Sequence, residues 1–189
     1  MHESSASVLA YWFGDASEPQ ARAWWFAKDP RRDRRIAERF AGLLERALAG
    51  RLSAWGDSPA ARLARILVLD QFPRNIYRGS ARAFAGDPLA LVDALALIDS
   101  GTGRLAPLQR VFALLPLEHA EDLALQRRSV ALFEALAAEQ PATRDFLTYA
   151  QRHHEVICRF GRFPHRNVAL GRVDSPAESA FLARPGSGF

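Results

Sequence analysis

Four times the chain places a proline directly behind a residue whose side chain can cap a helix: Asp29-Pro30, Ser58-Pro59, Asp87-Pro88 and Ser175-Pro176. Proline at the first helical position loses no hydrogen bond, because that N–H has no partner inside the helix. The residue before it supplies an oxygen to another of the orphan donors. Ser175-Pro176-Ala177-Glu178 also has the spacing of a capping box. Such punctuation predicts a chain that starts helices again and again.

Apolar residues between these starts keep a helical period. Ile36, Phe40, Leu43, Leu44, Ala47 and Leu48 form one stripe, ended by Gly50. Leu91, Val92, Leu95 and Ile98 form another, and Leu108, Val111, Phe112 and Leu115 a third, stopped by Pro116. Leu123, Val130, Phe133 and Leu136 follow, with Glu121 and Asp122 in a favourable first turn. Phe146, Ala150, Ile157 and Phe160 make the last long stripe. No segment alternates convincingly as a strand. The expectation is a single all-α domain over residues 1–189 with about eight to ten helices. Pro30, Pro59 and Pro88 recur at intervals of 29 residues, a helix-pair rhythm whose side chains do not align as a repeat.

A hydrophobic fraction of 49% is ample for a core. The net charge is +4 and Lys28 is the single lysine, so the basic charge is almost all arginine. That fits a GC-rich genome, and it also fits recognition of carboxylate or phosphate. Cys158 is the one cysteine, which excludes an internal disulfide and a thiolate metal cluster. The opening MHESSASVLAYWFGD lacks the pattern of a secretory signal, and no stretch approaches a membrane span. The expected location is a reducing cytoplasm, away from membranes.

Two segments repeat one pattern: QFPRNIYRG at 71–79 and RFPHRNVALG at 162–171. Before the first lies an apolar helix with Asp70 on the same face as Leu63, Ile66 and Leu67. Pro73 is expected to stop that helix at Phe72. A buried carboxylate needs a partner, and Arg74, Arg78 or Arg82 is within reach. The second copy follows a helix bearing His153, ends near Gly161, and brings His165, Arg166 and Asn167. Each copy delivers an Arg-Asn pair behind a buried helix, which predicts loops packed side by side.

These blocks also carry a resemblance. LDQFPRNIYRGSARAFAGDPLAL, LLPLEHAEDLALQRRSVALF and RFGRFPHRNVALGR are similar to the hallmark blocks of a mainly bacterial family, domain-of-unknown-function family 924. The similarity runs from Trp12-Phe13-Gly14-Asp15 to Pro185-Gly186-Ser187-Gly188-Phe189. It implies a tetratricopeptide-like superhelical stack and no established activity.

The candidate chemistry falls into four groups. Asp70, Arg74, Asn75, Arg162, His165, Arg166 and Asn167 are the candidate ligand-binding residues, since guanidinium groups clamp anions and asparagine orients them. The ligand class this implies is a small anion or an acidic peptide. The plainer alternative has these arginines satisfy helix ends and pair with Asp70 and Glu118. His119, Glu118 and His153 are the candidate acid–base residues of an enzyme. Their spacing matches no known metal pattern, and neither a metal nor a cofactor is expected. Cys158, four residues after His154, reads as a small buried thiol rather than a nucleophile. Arg31-Arg32-Asp33-Arg34-Arg35 reads as a solvated face, with nucleic acid an unlikely partner. Tyr11-Trp12-Phe13 and Trp24-Trp25 read as core aromatics. No Walker loop, dinucleotide fingerprint or nucleophile elbow occurs. A helical scaffold without any pocket is the remaining alternative.

Overall fold

The computed structural model describes residues 3–14, 19 and 21–186; Met1, His2, Asp15 and Ser187-Gly188-Phe189 of the stretches quoted above lie outside the described residues. Among the described residues the chain is helical throughout, with no strand. The helices are α1 (Ser5–Phe13), α2 (Pro30–Leu48), α3 (Pro59–Ile66), α4 (Phe72–Ile76), α5 (Asp87–Asp99), α6 (Pro107–Glu118), α7 (Leu123–Glu139), α8 (Arg144–Phe160) and α9 (Pro176–Leu182). Packing is largely serial: α1 lies on α3, α3 on α5, α5 on α6, α6 on α7 and α7 on α8. Helix α2 covers α4. No helix among the described residues is long and apolar enough to cross a membrane.

Three of the four proline starts are built as the local chemistry dictates. Asp29 accepts from the amides of Arg31 and Arg32, Ser58 from Ala61, and Ser175 closes a full capping box with Glu178. The fourth differs. Gly86 occupies the cap position of α5, and Asp87 is its first residue. Its carboxylate is engaged elsewhere.

The main core is aromatic at its centre. Trp12, Phe13, Phe40, Phe72, Phe112 and Phe133 are completely or almost completely buried. Trp12 and Trp25 stack with ring centroids 6.4 Å apart, and the Trp25 indole donates to the Trp12 carbonyl. A smaller cluster forms around Val156, Ile157 and Phe163.

Three expectations are corrected. On α5 the buried face is Ala90, Asp93, Ala94 and Leu97, while Val92 is 64% exposed. That face packs on α3, where Asp93 accepts from Arg62 and Arg65 and where Ala61 and Ala64 are also buried; Leu91, Leu95 and Ile98 are half-buried against the core. Pro116 does not stop α6, which runs on to Glu118, and the His119 amide still reaches the Leu115 carbonyl at 2.9 Å. Nor does Pro73 stop the buried helix. Between α3 and α4 the chain widens into a π-helical turn, Leu67–Gln71, in which the Phe72 amide donates to the Leu67 carbonyl. The wider turn absorbs the proline, so Asp70 lies inside a continuous helical run rather than at its end. Such turns gather at functional sites.

Candidate functional site

Asp70 is fully buried in the π turn. One carboxylate oxygen lies 2.7 Å from His119 Nδ1, and the other accepts from Gln71 Nε2 at 2.6 Å. Arg74, one helical turn on, places Nη1 3.3 Å from the same oxygen that faces His119 and also donates to the Asp70 main-chain carbonyl. Burial pushes the Asp70 carboxyl up, but Arg74, His119 and Gln71 outweigh it and keep the group ionised well below the usual carboxylate range.

His119 follows the last residue of α6 and is its C-cap. Burial, and then the nearby Arg74, lowers its pKa below the ordinary histidine value; Asp70 opposes them. A neutral imidazole beside an ionised carboxylate donates from Nδ1, which leaves the lone pair on Nε2. The His119 side chain is 14% exposed, and its one ring-nitrogen hydrogen bond among the described residues is the one to Asp70.

The two repeated loops do meet, and Asp87 is where they do. Arg74 grips Asp87 with both terminal nitrogens, at 2.9 and 3.1 Å. Arg166 reaches the same carboxylate with Nη1 at 3.3 Å and donates from Nη2 to the His119 carbonyl at 3.0 Å. The Arg166 guanidinium lies 4.6 Å from the Phe84 ring and 4.7 Å from Phe163, an arrangement that favours a desolvated cation. Its buried Nε has no hydrogen-bond partner among the described residues. The loops share a second feature: Asn75 donates to Asp33 at 2.9 Å, and Asn167 to Asp174 at 2.6 Å. Each loop thus sends its arginine to a common carboxylate and ties its asparagine to a private one.

Beside this network lies a second carboxylate–imidazole pair. Glu118, adjacent in sequence to His119, places Oε1 2.9 Å from His153 Nδ1, and the two imidazole centroids are 6.1 Å apart. His165 stands near, its ring 5.6 Å from Phe163; burial, and then Arg166, lowers its pKa to about 3.

The residues picked out from sequence therefore divide. Asp70, Arg74, His119 and Arg166 are joined through Asp87, with Glu118, His153 and His165 alongside. Asn75 does not point into this group, because it is bound with Arg78 to Asp33. Arg162 is drawn away by Glu178, at 2.6 and 2.8 Å, and Asn167 by Asp174. A single pocket lined by all seven is thus not formed. Cys158 is corrected too: its thiol is exposed, 3.3 Å from His154 Nε2. Among the described residues no group of three or more His, Cys, Asp or Glu side chains is arranged to hold a metal.

Sequence reasoning missed Asp87, Phe84 and Glu121. From sequence, Asp87 reads as a helix cap because it precedes Pro88. Glu121 accepts from the Phe163 amide and from Arg172, which pins the second loop against the end of α6. Its pattern carried no signal beyond its place before a helix.

The fold and the site define a class: an all-helical protein with an ionised aspartate, a neutral histidine and two converging arginines enclosed at one junction of its helices. The chain belongs to a family described as bacterial protein of unknown function (DUF924), whose model matches residues 8–186. It is similar in structure to a protein of unknown function from Agrobacterium tumefaciens, with 37% sequence identity, a TM-score of 0.83, and coverage of 95% of this chain and 96% of that one. No curated protein matches it.

Proposed function

We propose that the junction is a proton-transfer site acting on a small anionic molecule, with His119 as general base. The observation that carries this reading is the buried Asp70 carboxylate on His119 Nδ1. It fixes the tautomer and leaves the basic lone pair on Nε2. A base must be unprotonated at working pH, and burial with Arg74 nearby favours that state. Asp70 is the positioning residue. Glu118 and His153 brace the end of α6 from the other side and keep the two imidazoles in register.

A second reading is a binding protein for a small anion or an acidic peptide. It is favoured by Arg166, whose buried Nε has no partner among the described residues. In both readings the scaffold is one domain over residues 1–189, a tetratricopeptide-like stack, supported by the serial packing from α5 to α8. The single cysteine supports a cytoplasmic setting.

The test is a nitrogen-detected NMR titration of His119. It should remain neutral at pH 7 as the Nδ1–H tautomer, and Asp70→Asn should lower its pKa further, because a negative neighbour is removed. A His119 that titrates near 6.5 and ignores Asp70→Asn defeats the proposal. Once a turnover is found among pools of small carboxylates and phosphate esters, His119→Gln should reduce its rate by about 10²–10⁴.

A further inference from the structure

We propose that Asp87 is an internal stand-in for the anionic group of the substrate, and that this group docks on Arg166 by displacing Asp87 from it. The inference rests on the proton-transfer reading above and adds the residue that recognises the substrate.

Asp87 is shared unequally. Arg74 holds it bidentately at 2.9 and 3.1 Å, whereas Arg166 has one contact, at 3.3 Å. Charge-assisted pairs of this kind are normally shorter. Arg74 can therefore retain Asp87 when Arg166 releases it. Arg166 also has spare capacity, since its buried Nε has no acceptor among the described residues. Burial and the repulsion of Arg74 lower the Arg166 pKa to about 10, so an added negative charge is favoured there. Arg166 is only 8% exposed, whereas Asp87 is 20% exposed. Asp87 is thus the more accessible partner of the pair. Two features then make the docked group useful. Phe84 and Phe163 flank the guanidinium, and Nη2 is bonded to the carbonyl of His119 itself. An anion seated on Arg166 is held by a guanidinium anchored to the main chain of the residue that carries the base.

The chemistry names a small molecule with one carboxylate or phosphate head group. Inorganic phosphate and acetate serve as probes, with chloride at matched ionic strength as control. One or both should bind the wild type saturably and raise its unfolding midpoint. Asp87→Asn removes the competitor, so the same anion should bind about tenfold more tightly or better. Arg166→Lys keeps the charge but loses the planar fork, and binding should disappear. In the wild type the Arg166 Nε–H resonance should move on titration while that of Arg74 stays. This measurement stands even if Asp87→Asn fails to fold. The proposal is overturned if neither anion binds, if Asp87→Asn binds no better, if Arg166→Lys binds as well as the wild type, or if the Arg74 resonance alone responds. The two ideas fail separately. A His119 that is neutral and Asp70-dependent without anion binding sinks the docking alone, and anion binding beside a normally titrating His119 sinks the base alone.

Discussion

Asp70 has no access to solvent, and three side chains divide the task of keeping it charged. Removing the carboxylate leaves Arg74 paired with Asp87 alone among the described residues, and it strips His119 Nδ1 of its acceptor. Breaking a buried pair from one side typically costs 3–5 kcal/mol. We expect Asp70→Ala to lose about that much stability in urea unfolding. Asp70→Asn, which keeps an oxygen for Nδ1, should lose clearly less. A midpoint unmoved by Asp70→Ala would show the carboxylate to be dispensable. This residue was legible in sequence, because a lone acid in phase with Leu63 and Ile66 has nowhere to point but inward. Its partner His119 was legible only as a titratable group in a turn. Forty-nine positions separate the two, and no local periodicity carries information across that distance.

At the scale of elements, the π turn and the loop before α5 depend on one atom being absent. A Cβ on Gly86 would lie 2.1 Å from the Leu69 carbonyl oxygen and 2.8 Å from its carbon. Both are backbone atoms of the turn that presents Asp70, so neither can rotate away. The backbone dihedral of Gly86 is ordinary, with φ −90°, so close approach rather than left-handed geometry requires the glycine. Gly86→Ala should therefore cost about 1–3 kcal/mol by overpacking. It should also push Asp87 away from Arg74. The midpoint checks the first effect, and a Gly86→Ala protein as stable as wild type would contradict the packing. The same stretch shows where sequence patterns stop informing. Proline and the residue before it predict a helix stop at Phe72, and that rule holds for an α-helix of uniform width. A widened turn evades it, and single-residue propensities do not encode the width. Likewise, the aliphatic stripe on α5 is legible only in part: Leu91, Leu95 and Ile98 pack against the core, Val92 is exposed, and the deepest positions go to Ala90, Asp93, Ala94 and Leu97. Capping fared better: at Asp29, Ser58 and Ser175 the stabilising contacts span two or three residues and are fully written in the local sequence.

For the molecule as a whole, the enclosed histidines set how stability responds to acid. His119 and His165 both have folded pKa values below the ordinary histidine value, because burial and neighbouring arginines penalise the imidazolium. In the unfolded chain both titrate near 6.5. Above that pH neither state binds the protons, and the histidines contribute no slope. As pH falls below it, the unfolded chain takes up protons that the folded protein refuses. Stability therefore declines by up to about 1.4 kcal/mol per pH unit for each histidine that stays neutral. For His165 the decline continues to about pH 3. Asp70 and Glu121 act in the same direction at lower pH. Their folded carboxyls are held below normal, so their contribution is present above about pH 4 and is lost as pH falls further. The expected profile has two stages: a loss beginning near pH 6.5, and a steeper one beginning near pH 4. Urea midpoints at pH 7.5, 6, 5, 4 and 3 measure both stages directly. His165→Gln should flatten the upper stage in part and leave the lower one intact. A midpoint constant from pH 7.5 to 5 would mean that the histidines charge freely in the folded protein, and the enclosed neutral histidine on which the proposed chemistry depends would then be wrong.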